Sequence, residues 1–450
     1  MLLCCASGPV FAQKTDESAG REFDFTQSKG KYGDFPEGWT QEPAHIGKIP
    51  RFELRMDTEG TYLSISGSGD SGAVGSISTK TKLAPGTYAY TALFSFSEEV
   101  NPQRHLLFQC DTGTLGGIFK FYRLDNGQVE GRGLIVVAGD KPREVKLRIF
   151  YRFNPAGEVK LRRLSLTPTA PVKPRWVRFA CTEGRLTDAQ IPKVAEAAAR
   201  QNADLLLYPE HVSQSSGDTS NGEQLQNLLS SLAAKHKMYV AASLLVIDKT
   251  DGRKYNRGVL YDRKGGLVGV YDKIHPYSPE IQTHNISPGV RTEIFKTEFG
   301  KLGMVICYDS WFTDVTELMA LKGAEVILFP AAGYYRSLIP ARAADNQVRF
   351  VISVLGRSYG IFDTAGRDVQ TPAKDPSVST SGKTFKDVQT LNVENIGVLC
   401  ASLDLNCNIS PHYNGGSMNE APGGKRNRTE QVLYLDDEIK KEKERWWENE

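Results

Sequence analysis

The pattern of hydrophobicity in this chain changes once, at a stretch holding Pro168, Pro171 and Pro174. Before it, from about Phe23 to Thr167, apolar and polar residues alternate in short runs such as TYLSIS, TYAYTALFSFS, IFKFYRL and VKLRIFYRF. Period two broken often by Gly, Pro, Asn and Asp predicts antiparallel strands, and so a β-sandwich. After Trp176, the strand-like runs VRFACT, LLLYP, YVAASLLVI, RGVLYD, LVGVYD, GMVICYD, EVILFPAAG and VRFVISVLG are interspersed with helical stretches. These are TDAQIPKVAEAAARQNA, EQLQNLLSSLAAKHK and TDVTELMALKGA, and the alternation predicts a layered α/β domain. A length of 450 residues suits two cores better than one. Prolines cannot continue a ladder, so the stretch between the two patterns reads as the linker.

The domains expected are therefore a β-sandwich over residues 23–168, an α/β domain over 175–410 and a tail over 411–450. Within the second domain, Thr187 or Asp188 is placed to cap the first helix, and Tyr359–Val398 reads as a long polar loop carrying a small hairpin. In the tail, DDEIKKEKERWWENE suits a short helix whose Trp446 and Trp447 call for burial elsewhere in the assembly. Residues 1–12 form a short apolar run with Val10 and Ala12 just before Gln13, the pattern of a secretory signal peptide. Cys4 and Cys5 add a lipoprotein signal as a variant. The expectation is an exported protein in a disulfide-permissive compartment. The mature chain would keep Cys110, Cys181, Cys307, Cys400 and Cys407, an odd number that leaves at least one free thiol. A Cys400–Cys407 pair and two buried free thiols fit equally well. A net charge of +2 gives no global reason to expect nucleic acid as a partner, and no apolar run is long enough to span a bilayer.

Chemistry enters through three stretches, LLLYPEH, VYDKIHP and GMVICYDSWF. Each ends an apolar run on a reactive group: Glu210, Lys273 and Cys307. Open α/β folds place their sites where strands leave the sheet. Cys307 stands before a helix expected to begin near Phe312, and a strand-to-helix turn favours an exposed, anionic nucleophile. Amide cleavage needs a nucleophile, a base that later protonates the amine, and a cation near the oxyanion. His211, His275 and His284 flank these motifs without the spacing or the thiolate and carboxylate company of a metal site.

The order and text of these motifs resemble the nitrilase superfamily, the carbon–nitrogen hydrolases. The likeness extends through ISPGVRTEIFKTEFGKLGMVICYD, ELMALKGAEVILFPAA and GRSYGIFDTAGR, over roughly Val177–Asn406. The resemblance implies a four-layer αββα sandwich, no cofactor or metal, and a homodimer. It further implies Cys307 as nucleophile, Glu210 as general base and acid, and Lys273 as oxyanion stabiliser aided by the backbone N–H of Tyr308. A second glutamate between the Lys and the Cys is carried over to Glu280, with Glu293 as the weaker candidate. Trp311, Tyr334, Tyr335 and Arg336 fall where substrate contacts lie, Arg336 being suited to a carboxylate. The residue after SWF, often Pro in the family, is Thr313.

The N-terminal segment resembles the jelly-roll modules attached to carbohydrate-active enzymes, which implies glycan contact through aromatic residues such as Trp39, Tyr62 and Tyr88. The function expected is an exported amidase-type hydrolase acting on a small non-peptide amide or carbamoyl compound. A nitrile substrate, a carbohydrate-binding protein on a hydrolase scaffold, and acyl transfer are the alternatives. The family's acyltransferases carry membrane spans, which this sequence lacks.

Overall fold

The computed structural model describes residues 20–28, 33–42, 49–111, 115–213, 219, 222–370 and 384–407. The signal-like residues 1–12 and the tail with Trp446 and Trp447 lie outside them. The chain divides into two compact units, Met1–Pro171 and Val172–Glu450.

Among its described residues the first unit has eleven strands and one short α-helix, α1 (Pro102–His105). The strands are β1 (Arg21–Asp24), β2 (Thr40–Glu42), β3 (Arg51–Asp57), β4 (Gly60–Ser66), β5 (Val74–Leu83), β6 (Gly86–Phe96), β7 (Leu106–Asp111), β8 (Leu115–Arg123), β9 (Val129–Val137), β10 (Arg143–Arg152) and β11 (Glu158–Thr169). All pairings are antiparallel, in the order β2-β5-β10-β7-β8-β9-β6-β11-β4-β3, with β1 beside β11. Strict alternation drives this: in β10, Val145, Leu147, Ile149 and Tyr151 are buried while the residues between them are not. The path doubles back, because Phe108 on β7 packs edge-on to Tyr90 and beside Phe94, both on the non-adjacent β6. One hydrophobic core fills the space between.

One detail corrects the sequence reading. Pro168 lies inside β11, opposite Tyr88, rather than in the linker. It sits beyond the end of β1, whose pairing stops at Leu166, and a proline is tolerated near the end of a ladder. Trp39, Tyr62 and Tyr88 are all buried, as core residues are. Trp39 packs on Phe23 and Phe25, Tyr62 lies under Lys160 and Arg162, and the Tyr88 hydroxyl donates to the Ala84 carbonyl. A bulge between Leu161 and Arg163 breaks the alternation of β11 and leaves Arg162 buried, donating to Asp57.

The second unit has twelve strands among its described residues. These are β12 (Trp176–Glu183), β13 (Leu205–Leu207), β14 (Tyr239–Ile247), β15 (Lys254–Tyr261), β16 (Leu267–Asp272), β17 (Phe295–Thr297), β18 (Gly300–Met304), β19 (Val326–Ala331), β20 (Arg349–Val354), β21 (Gly360–Phe362), β22 (Phe385–Val393) and β23 (Ile396–Asp404). They run in the order β16-β15-β14-β13-β12-β20-β19-β18-β17. Strand β12 pairs with β23 along its length but with β20 only at Glu183–Val354, so two groups of strands join at one narrow point. Two helices, α2 (Gln190–Arg200) and α3 (Gly222–His236), bury an apolar stripe against one face of β12–β15. The opposite face shares a core with β18–β20 and with α5 (Asp314–Leu321) and α6 (Leu338–Asn346).

Helix α2 has no side-chain cap at its first residues; both the backbone N–H and the hydroxyl of Thr187 bond to the Gln190 side chain instead. The stretch read as the loop Tyr359–Val398 contains β21 and β22, and β22 and β23 form a tight hairpin. Its turn residues Glu394 and Asn395 have φ of 50° and 71°, as a two-residue hairpin loop demands.

Candidate active site

Strands β13, β16 and β18 all point the same way through the pairing pattern, and each releases one reactive residue at the same edge. Glu210 follows β13, Lys273 follows β16 directly, and Cys307 follows β18. The structure brings the three together with Glu280, which stands in the first turn of a short helix, α4 (Ser278–His284). The Lys273 ammonium donates to Glu210 Oε1 at 2.9 Å and to Glu280 Oε2 at 2.7 Å. Glu293 is exposed and stands apart from this cluster. The backbone N–H groups of Ala332 and Tyr277 complete the carboxylates, each at 2.7 Å, on Glu210 Oε2 and Glu280 Oε2. The Cys307 thiol donates to the Gly333 carbonyl at 3.2 Å and interacts with the Glu210 carboxylate.

Donor counting separates the oxygens. Glu210 Oε1 accepts from Lys273 and from Asn256 Nδ2, whereas on Oε2 the donor among the described residues, apart from the interaction of this carboxylate with the Cys307 thiol, is the Ala332 N–H. Oε2 is thus the oxygen with room for a proton. Lys273 has three N–H donors and gives two to carboxylates, which leaves one.

Burial sets the charge states. It alone would raise the Glu210 carboxyl, but the charge of Lys273 and the hydrogen bonds outweigh it and hold the pKa below the usual value. Burial alone would lower Lys273; the charges of Glu210, Cys307 and Glu280 reverse that and keep it firmly protonated. Burial and the neighbouring Glu210 charge push the Cys307 thiol up to about 12, against the pull of Lys273. The resting pair is therefore a neutral thiol beside an ionised carboxylate, not the thiolate that a helix terminus alone suggests.

The turn presenting Cys307 is held by a residue that sequence reasoning missed. Cys307 has a φ of 46°, a left-handed conformation uncommon outside glycine, and opens a 3₁₀ turn over Cys307–Trp311. The fully buried Asp309 accepts from the Ile306 N–H in this turn. It also accepts from the His275 N–H and the Tyr271 hydroxyl on either side of Lys273. One carboxylate so ties the turn of Cys307 to that of Lys273. The expected helix begins at Asp314, after this turn.

Around the site Tyr277, Tyr308, Trp311, Phe312 and Tyr335 make a chain of ring contacts between 5.2 and 6.0 Å. Trp311 is 50% exposed and Tyr335 62%. Tyr334 points inward, packed on Phe329 with its hydroxyl donating to the Ser358 carbonyl, and Arg336 is paired with Asp368. His275 stacks on Phe312, and His284 is exposed at the end of α4. Ligand atoms of Glu210, His211 and Glu280 lie within 4.8 Å of one another, the approach a metal ion would need. The Lys273 ammonium already bridges the two carboxylates, so the cation of this cluster is the protein's own.

A half-buried thiol, a buried carboxylate and a buried ammonium thus meet at one sheet edge. Residues 188–359, which hold all of these groups, match the family model described as carbon–nitrogen hydrolase. A hydrolase of Schizosaccharomyces pombe is 26% identical, over 45% of this chain and 73% of its own. An omega-amidase of Saccharomyces cerevisiae is 30% identical, over 34% of this chain and 59% of its own. A citrullinase of Francisella tularensis is 33% identical, over 30% of this chain and 52% of its own. Over residues 188–359 the chain is thus similar to the carbon–nitrogen hydrolases, and its enzyme class is that of an amidase-type hydrolase.

Proposed function

We propose that this chain is an exported hydrolase that cleaves a small non-peptide amide or carbamoyl compound through a thioester on Cys307. The observation that carries this reading is the position of the Lys273 ammonium between Glu210 and Glu280, with the neutral Cys307 thiol beside Glu210. Glu210 Oε2 takes the thiol proton as sulfur attacks the carbonyl carbon. The carbonyl electron pair moves to oxygen, where the remaining Lys273 N–H and the Tyr308 backbone N–H receive it. Collapse breaks the C–N bond, and Glu210 returns its proton to the departing amine. Water then loses a proton to Glu210, attacks the thioester and releases the acid, and the thiol is regenerated.

Relatives named omega-amidase and citrullinase support the substrate class. Trp311 and Tyr335, exposed at the mouth with Tyr308 beneath, suit a flat or apolar part of the substrate. Tyr334 and Arg336 then act through the wall they build. A nitrile fits the same groups. The helix pairs α2/α3 and α5/α6, each against its own group of strands, support a four-layer αββα arrangement. We read the first unit as a jelly-roll-like module; any glycan contact falls to residues other than Trp39, Tyr62 and Tyr88. We also retain the homodimer as part of this reading.

Screening amides while trapping the acyl-enzyme by mass spectrometry tests the proposal. An adduct of the acyl mass on the Cys307 peptide is expected, lost in Cys307→Ala with the fold retained. Turnover that survives this substitution overturns it.

A further inference from the structure

The strand β15 carries a polar residue into the interior of the site. Asn256 is 0% exposed, and its Nδ2 donates to Glu210 Oε1 at 2.7 Å and to Glu280 Oε1 at 2.9 Å. An ionised carboxylate only accepts, so the amide must turn its NH₂ toward both glutamates. Its two hydrogens are then fully used, one on each. The Asn256 Oδ1 is buried and has no protein partner among the described residues. Every polar contact of this side chain within the protein is therefore a donation to the two carboxylates. A core position with no such task would hold an apolar residue, because a buried unpaired carbonyl is destabilising.

We propose that Asn256 is a positioning residue that bridges Glu210 and Glu280 and fixes Glu210 with Oε2 toward the Cys307 thiol. Lys273 also joins the two glutamates, but from a different pair of atoms: it reaches Glu280 at Oε2, whereas Asn256 reaches it at Oε1. The two bridges together prevent Glu210 from rotating about its carboxyl axis. The hydrogen bond from Asn256 is stronger to the ionised carboxylate than to the acid protonated on Oε2, which favours the ionised base. This inference rests on the reading of Glu210 as the base for Cys307.

The test needs no knowledge of the substrate. Iodoacetamide alkylates Cys307 by forming an S–C bond, expelling iodide and passing the thiol proton to Glu210. The rate is followed against pH in the full-length protein by mass spectrometry of the Cys307 peptide, which separates it from the other thiols. The wild-type rate should fall on the acid side as Glu210 becomes protonated. In Asn256→Ala that acid limb should move up by about one pH unit, so that the rate well below the limb drops about tenfold. Asn256→Asp keeps the shape but puts an acceptor where the donor stood, so it should move the limb at least as far, and it decides the matter should the alanine variant not fold. A merely structural role would lower thermal stability without moving the limb; a limb in the wild-type position in the folded variant overturns the proposal. Glu210→Gln separates the two failures. If it leaves the acid limb in place, the base assignment fails; if it removes the limb while the Asn256 variants keep it unmoved, only the inference fails.

Discussion

A lysine that is 1% exposed stays charged only while something holds it so, and at Lys273 that is the pair Glu210 and Glu280. Removing the ammonium as Lys273→Met would leave a buried and a half-buried carboxylate facing each other. The expected cost at neutral pH is about 3–5 kcal/mol, together with loss of turnover, read from denaturant melts and assays. The pH dependence has a definite sign. In the wild type, Glu210 is held below its unfolded value, so its contribution is present above that value and is lost as the pH falls through the folded one. In the variant, burial raises Glu210 instead, and stability is gained as the pH falls. The gap between the two proteins should therefore narrow from pH 7 to pH 4; a constant gap would refute the assignment. Of these residues Glu210, Lys273 and Cys307 were legible because each breaks an apolar run at its end. Asn256 was not: in KYNRGVLY it looks like one more polar position of a strand, and only the fold turns it toward the glutamates.

At the scale of elements, the turn Cys307–Trp311 depends on Asp309, and that dependence should be visible in pH. Burial pushes the Asp309 carboxyl up to about 6 from 3.8, outweighing the donors from Ile306, His275 and Tyr271. The folded state thus binds this proton more tightly than the unfolded state does. The resulting stability is complete below 3.8 and is lost as the pH rises through about 6. That difference corresponds to about 3 kcal/mol. Asp309→Asn cannot ionise and should lack this slope. Measured by melts at pH 4 and pH 7, the difference between variant and wild type should shift by about that amount in the variant's favour at pH 7. No shift would mean that Asp309 titrates normally. Elements were legible where periodicity was strong, as in β10 and α2. The hairpin β22–β23 was legible only as a small hairpin in a polar loop, because the solvent-facing residues of β22 hide a strand of 9 residues. What makes it a strand is its partner β23, buried against β12. Pairing at long range decided what local pattern left open.

For the whole molecule, the distribution of cores argues that the two units fold separately. The buried residues of Met1–Pro171 form one cluster, and those of Val172–Glu450 form two of their own. The start of the second unit is secured from within: Arg175 pairs with Glu325, donates to the Phe299 carbonyl and donates its backbone N–H to the Asp404 carboxylate. A cut between Pro171 and Val172 leaves all of these intact, and every group of the candidate site lies on the C-terminal side. The fragment 172–450 should thus fold alone, melt in a single transition and alkylate Cys307 at the full-length rate. The fragment 1–171 should give its own transition, at the temperature it shows in the intact chain. Such autonomy places the chemistry wholly in the second unit and leaves the first to act on something other than the bond being cleaved. A fragment 172–450 that is unfolded, or folded with Cys307 alkylation slowed tenfold or more, would show instead that the β-rich unit is part of the enzyme's working structure.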